Sequence, residues 1–159
     1  MPFVTLALCI SLLSGNSMAD LVNLDFIKQI ESTGDPDAFN EKSQARGLYQ
    51  ITPIVLKEWN NFFPKKQYKE EDLFKPEINK EIASWYVNDR IPQMLTHFKK
   101  PVDLKNVLIS YNAGIDYVVS NRTLPKETQD YLKKYDDLSN DGYSMVKSAM
   151  KQMRTTNAR

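Results

Sequence analysis

After position 20, apolar residues recur almost everywhere at the spacing of an α-helix, and proline or glycine repeatedly cuts the pattern into short pieces. In NLDFIKQIE, Leu24, Ile27 and Ile30 share one helical arc, and Gly34 and Pro36 stop the run. Thr52-Pro53 is a helix start, with threonine able to cap and proline in the first turn; IVLKEWNNFF extends it to about Phe62 before Pro64-Lys65-Lys66 breaks it. Lys75-Pro76-Glu77 opens a longer helix with Ile78, Ile82, Trp85 and Tyr86 on one side, which Pro92 should end or kink near Ile91. Pro101 and Asp103 introduce VDLKNVLISYNAG, where Leu104, Val107, Leu108 and Tyr111 form the apolar side and Gly114 the stop. Short helical pieces are expected at 115–120 and 126–135, then a final amphipathic segment aligning Tyr143, Val146, Met150 and Met153. The Met145/Met150/Met153 stripe reads as core in preference to a partner face. No segment alternates like a strand. The pattern implies one all-α domain, with a small turn-rich or short-strand excursion between residues 34 and 50.

A chain of 159 residues can bury a real core. Its 21 basic and 20 acidic side chains leave a formal charge of +1, which supplies no electrostatic footprint for nucleic acid. The single cysteine, Cys9, excludes zinc fingers, iron–sulfur clusters and an intrachain disulfide from the folded part. Cys9 lies in an opening run, residues 2–13, that is apolar apart from Thr5 and Ser11 and is followed by Ser17-Met18-Ala19, a small-x-Ala cleavage pattern. The run is short for a membrane crossing, so residues 1–19 read as a signal peptide. Its front carries no Lys or Arg, and a retained N-terminal helix or short anchor is the competing reading. Cleavage after Ala19 leaves a mature domain of residues 20–159 with no stable membrane span, periplasmic or secreted and cell-envelope associated.

The stretch IESTGDPDAFNEKSQARGLYQITP, residues 30–53, places a carboxylate at the end of an apolar helix face, just before dense turn chemistry. A helix advances about 100° per residue, so Glu31 lies roughly 20° from Leu24 around the axis, at the margin of the buried arc. It occupies the last turn, where the helix dipole disfavours negative charge, and partial burial acts in the same direction. Both should raise its pKa toward the range of a general acid. A bland role is also open to it: an ordinary helix-end glutamate that snorkels or pairs with Lys28 or Arg46. Arg46 and Gln50 flank Gly47-Leu48-Tyr49, and Tyr111 and Asn112 end another apolar helix, adding hydrogen-bonding tips suited to a sugar or amide ligand.

Other chemistries lack their residues. His97 is the only histidine and reads as a surface or helix-end residue, so no histidine metal cluster exists. Nucleophile-elbow and glycine-rich phosphate motifs are absent. Asp35 and Asp37 do not have the spacing of a calcium loop. No metal or cofactor is expected.

Glu31-Ser32, followed by Ala45-Arg46-Gly47-Leu48-Tyr49-Gln50-Ile51-Thr52-Pro53, closely resembles the opening of the soluble lytic transglycosylase domain. Ser110-Tyr111-Asn112-Ala113-Gly114 is similar to that family's second signature, and Leu124-Pro125-Lys126-Glu127-Thr128 with Tyr131 and Tyr135 to its third. Three pieces in the right order span roughly residues 24–135. The resemblance implies a lysozyme-like helical fold related to goose-type lysozymes. It implies cleavage of the beta-1,4 bond between N-acetylmuramic acid and N-acetylglucosamine in peptidoglycan, leaving a 1,6-anhydromuramoyl end. By the same resemblance Glu31 is both acid and base, while Ser32, Tyr49, Gln50, Tyr111 and Asn112 shape the site or hold sugar. One alternating carboxylate serves this reaction, whereas a hydrolase of the two-carboxylate kind needs a second acid. Tyr49 departs from the methionine common in the family, and an aromatic there can still line a sugar groove. If Asp35 or Asp37 reached the far side of the sugar, hydrolysis by a lysozyme-like muramidase would follow. A non-catalytic glycan-binding protein on the same fold is the remaining rival. The implied partner is a glycan strand met by a monomer, with wall opening for an envelope-spanning apparatus, phage entry or remodelling as the contexts.

Overall fold

The computed structural model describes residues 22–156, so the segment read as a signal peptide lies outside the described residues. Helix α1 spans Leu24–Ser32 and starts where the Asn23 side chain accepts a hydrogen bond from the Asp25 N–H. It ends at Thr33 in the left-handed conformation, whose N–H closes on the Gln29 carbonyl. Ile27 is fully buried, with Leu24 and Ile30 packed against the same core. The expected excursion follows as two short antiparallel strands, β1 (Phe39–Asn40) and β2 (Ala45–Arg46), with Phe39 opposite Arg46.

Helix α2 (Pro53–Phe62) begins as its sequence dictates, with the Thr52 hydroxyl accepting from the Val55 N–H. A 3-10 turn at Glu70–Phe74 leads into α3 (Pro76–Trp85). Pro92 neither ends the helical path nor leaves a gap. Residues Tyr86–Arg90 widen into a π-helical turn, the Ile91 N–H reaches back to the Tyr86 carbonyl, and α4 (Ile91–His97) continues with Pro92 in its first turn. Proline's ring and missing N–H are incompatible with ordinary α-winding, and an inserted π turn absorbs both. His97 is the exposed last residue of α4, as expected.

Helix α5 (Leu104–Ala113) is capped by Asp103 and stopped by Gly114 at φ 94; α6 (Ile115–Val119) follows at once. The separate pieces expected at 126–135 and after 143 are instead one 31-residue helix, α7 (Lys126–Thr156). Gly142 does not break it, and a methyl group there would touch the Phe26 ring at 3.9 Å. Of the methionine stripe, Met145 does not stand as core, being 74% exposed. Met150, Met153, Tyr143 and Val146 lie outside the described side chains.

The core runs between α1, α3, α5 and α7, with Ile27, Ile82, Val87, Ile91, Leu95 and Val107 inaccessible to solvent. Helix α1 packs along α7, and α5 lies against both α6 and α7. Phe26 meets Tyr135 edge-on at 5.4 Å, and the Tyr135 hydroxyl accepts from the Asn23 N–H at 2.7 Å. The outcome is a predominantly helical, lysozyme-like domain whose one small sheet lies beside the end of α1.

Candidate active site

The last turn of α1 and the β1–β2 hairpin bound a surface groove of about 650 Å³. Ile30, Glu31, Ser32 and Thr33 line it from the helix, residues 38–42 from the hairpin, and Gln50 from the turn that follows. Glu31 is partly buried there because the arc that carries Leu24 and Ile27 inward also carries position 31 to its edge. Burial pushes its carboxyl up to about 7, and the Glu127 carboxylate adds to the rise; Tyr131 and Lys134 oppose it. The pairings that would make it an ordinary surface glutamate are absent. Lys28 bonds Asp25 at 2.8 Å, and Arg46 bonds Glu70 at 2.8 Å.

Tyr131 was not singled out for the site from sequence, although it stands one turn before Tyr135 in the third signature. Thr128, Tyr131 and Tyr135 are buried along one stripe of α7, and the packing of α1 on α7 brings Tyr131 to Glu31. Its buried hydroxyl has no hydrogen bond of standard geometry, yet it lies near enough to the Glu31 carboxyl to favour the ionised form. Burial, and after it the interaction with that carboxylate, holds the Tyr131 phenol well above its usual pKa. A neutral hydroxyl with an uncommitted proton therefore faces the acid.

The other residues named from sequence divide by what their polar atoms do. Ser32 is committed to structure: its hydroxyl donates to the Leu48 carbonyl at 2.9 Å and accepts from the Gly34 N–H at 3.1 Å. Gln50 sits at φ 48, and its amide N–H groups donate to the carbonyls of Gly47 at 3.0 Å and Ala38 at 3.2 Å. Among the described residues nothing donates to its Oε1, and Gln50 lines the groove. Asn112 is partly buried at the end of α5, outside the groove lining, and its amide makes no hydrogen bond among the described residues. Tyr111 donates its proton to the Tyr49 carbonyl at 2.7 Å, so that proton supports backbone and is not aimed at Glu31. Burial, with Glu31 nearby, keeps this phenol neutral well above its ordinary range.

Tyr49 differs from its sequence reading. Its side chain is 1% exposed and packs in the core, so the residue meets the site through its backbone and not as an aromatic wall. The sequence offered Asp35 and Asp37 as second acids, but both are exposed on the loop outside the groove lining. The second carboxylate on the groove is Glu41, with Phe39 and Lys42 beside it on the hairpin. Nothing in the local pattern marked these three, because only the fold of the hairpin turns them toward Glu31.

One buried amide holds the turn in place. Asn79 of α3 accepts from the Tyr49 N–H and donates to the Arg46 and Leu73 carbonyls, each at 2.8 Å. Gly47, at φ 76, lies so close that a Cβ would stand 2.3 Å from the Leu73 carbonyl oxygen and 2.5 Å from Asn79 Nδ2. The glycine of the block at residues 45–53 is thus required by close packing as well as by backbone angle.

Chemically, the arrangement supplies one protonatable carboxyl near neutrality, a phenol beside it and the Gln50 amide along an open polar groove. Among the described residues no group of three or more histidine, cysteine, aspartate or glutamate side chains converges as a metal site. No helix among them is long and apolar enough to cross a membrane. Compared with known families, residues 10–134 match the Transglycosylase SLT domain. No curated protein and no solved structure matches the chain significantly.

Proposed function

Because this chain belongs to the transglycosylase SLT domain family and is a lytic transglycosylase of peptidoglycan, we propose that Glu31 is its single acid and base. The observation that carries the assignment is a carboxyl pushed up to about 7 on the wall of an open groove, with no cation among the described residues paired to it. Such a group is protonated for a useful fraction of time near neutral pH and can change state within a turnover.

Glu31 first gives its proton to the glycosidic oxygen as the bond from C1 of the N-acetylmuramic acid unit breaks. The neighbouring acetamido oxygen of the same sugar stabilises C1 as the leaving N-acetylglucosamine departs. Ionised Glu31 then takes the proton of the C6 hydroxyl while that oxygen attacks C1 and displaces the acetamido group. The proton returns to Glu31, no water is added, and a 1,6-anhydromuramoyl end results. Tyr131 is suited to steadying the carboxylate between the two transfers, since its hydroxyl interacts with the ionised form. Gln50 on the groove, and Asn112 at the end of α5, offer amide atoms for sugar hydroxyl or acetamido groups, whereas Ser32, Tyr111 and the Tyr49 backbone act by holding the walls.

Hydrolysis is the second reading, and Glu41 on the same groove is what favours it. Mass analysis of fragments from purified peptidoglycan decides. Anhydro ends from the wild type and none from Glu31→Gln support the assignment; mostly reducing ends, or an active Glu31→Gln, refute it.

We assign the workplace to the periplasm or cell exterior, reached through residues 1–19 as a cleaved leader. The apolar run and Ser17-Met18-Ala19 support this, and the family match beginning at residue 10, inside the run, weighs for retention. A mature protein starting at Asp20 is the expected result of N-terminal sequencing. Docking to an envelope-spanning apparatus belongs to the same proposal and predicts co-purification from envelope fractions.

A further inference from the structure

We infer that Phe39 is a stacking platform for a saccharide unit of the glycan strand, held in position by Arg46, an inference that rests on the groove being the peptidoglycan site. Phe39 is one of few large apolar side chains left open, at 46% exposure, and it lies on the groove that also contains Glu31. An exposed ring at a hairpin tip would ordinarily move freely. Here Arg46 stands opposite it in the strand register and backs it with a guanidinium 5.0 Å from the ring centroid. That guanidinium is anchored at both ends, donating to the Gln44 carbonyl at 2.6 Å and pairing with Glu70 at 2.8 Å. With its side chain only 14% exposed, Arg46 is a fixed support and not a solvated charge.

The surroundings favour a carbohydrate over other occupants of an aromatic surface. A pyranose presents axial C–H groups on one face and hydroxyls at its rim, so it needs a flat apolar plate with polar groups around it. Phe39 is the plate, and Gln50, with its amide oxygen, and Asn40, with its amide nitrogen, line the same groove. Asn40 spends its oxygen on the Lys42 and Ser43 N–H groups, leaving that nitrogen for the ligand. The single ring offers too little apolar surface for a hydrophobic peptide segment.

Binding is best read in the Glu31→Gln background, where cleavage does not consume the ligand. In co-sedimentation with purified sacculi, Phe39→Ala should weaken binding roughly tenfold, and Phe39→Trp should keep it. Glycan strands stripped of their stem peptides should give the same ranking. Phe39→Leu, which retains apolar packing in the hairpin but has no flat face, should lose binding while melting like its parent. Arg46→Lys, which keeps a cation at the ring, should retain more binding than Arg46→Leu. Equal affinity of Phe39→Leu and its parent would overturn the inference, as would a loss seen only when stem peptides are present. Residual turnover by Glu31→Gln would count against the acid assignment alone, since the sedimentation ranking stands or falls independently of it.

Discussion

Replacing Glu31 by glutamine should abolish turnover and yet stabilise the fold, and the stabilisation should depend on pH in one direction only. Burial raises the Glu31 carboxyl from 4.5 to about 7. At about 1.4 kcal/mol per tenfold change, that rise amounts to roughly 3 kcal/mol against the ionised form in the folded state. Below about pH 4.5 the carboxyl is protonated in both folded and unfolded chains, so wild type and Glu31→Gln should be equally stable. Between 4.5 and about 7 the unfolded chain has lost the proton while the folded chain retains it, and wild-type stability falls as pH rises. Above about 7 both states are ionised and the full cost remains, leaving the variant ahead by roughly 3 kcal/mol, on the order of 10 °C in Tm. Urea unfolding of both proteins at about pH 4, 6 and 8 reads the widening gap directly. A gap that is constant with pH, or a variant less stable than wild type at about pH 8, would show that Glu31 is not a desolvated acid and would remove the basis for its role.

The same ionisation should appear in kinetics: kcat/KM falls above about pH 7, with the limb moved upward in Tyr131→Phe and downward in Glu127→Gln, and shifts of opposite sign would refute the electrostatic account. Gly47→Ala should cost about 3 kcal/mol or more in denaturant unfolding, since a Cβ meets backbone and Asn79 at a positive φ. Tyr111→Phe leaves the Tyr49 carbonyl without its 2.7 Å donor, so a loss of about 1–3 kcal/mol and a partial drop in turnover are expected; unchanged values in both assays would deny it a supporting role. Glu41→Gln should leave anhydro ends as the product, and a switch in fragment masses would bring the hydrolytic reading forward.

Local signals located most of the helices because each was set by groups close in sequence. Thr52 and Asp103 accept the N–H bonds their positions promise, and Thr33 and Gly114 end α1 and α5 with positive φ. The placement of Glu31 at the edge of a buried arc followed from angular arithmetic alone and agrees with its partial burial. Pro92 was expected to end or kink the helix near Ile91; regular α-winding does give way there, to a π turn that keeps the chain helical. The pieces expected at 126–135 and after 143 join because Gly142, beside Phe26, lies within one continuous helix. Tyr131, Phe39 and Glu41 were passed over for a different reason. Their relation to Glu31 arises only when α7 and the hairpin fold against α1, and no spacing along the chain encodes it. Tyr49 shows the converse error, a residue in a recognisable block whose side chain the fold sends into the core.

The turn at residues 46–50 explains why the acid can lose its charge without the site losing its shape. Ser32 ties the end of α1 to the Leu48 carbonyl, Tyr111 ties α5 to the Tyr49 carbonyl, and Asn79 ties α3 to Arg46 and Tyr49. None of these bonds uses the Glu31 carboxyl. Three helices are therefore registered on one piece of backbone, and the proton-carrying group is positioned by its neighbour Ser32 and by helix winding. A carboxyl that anchored the fold through ion pairs would have its pKa pulled down and would hold its charge. Here the anchoring is done by uncharged donors on backbone carbonyls, which leaves the carboxyl free to be raised by burial and to change protonation state with little reorganisation around it. Asn79→Asp tests this division of labour: it keeps the oxygen facing the Tyr49 N–H but loses the donors to the Arg46 and Leu73 carbonyls. Glu31 would remain chemically intact while its turn is loosened, so stability and kcat should fall with the alkaline limb of the pH profile unmoved. A limb that shifts with Asn79→Asp would mean that the turn tunes the acid itself.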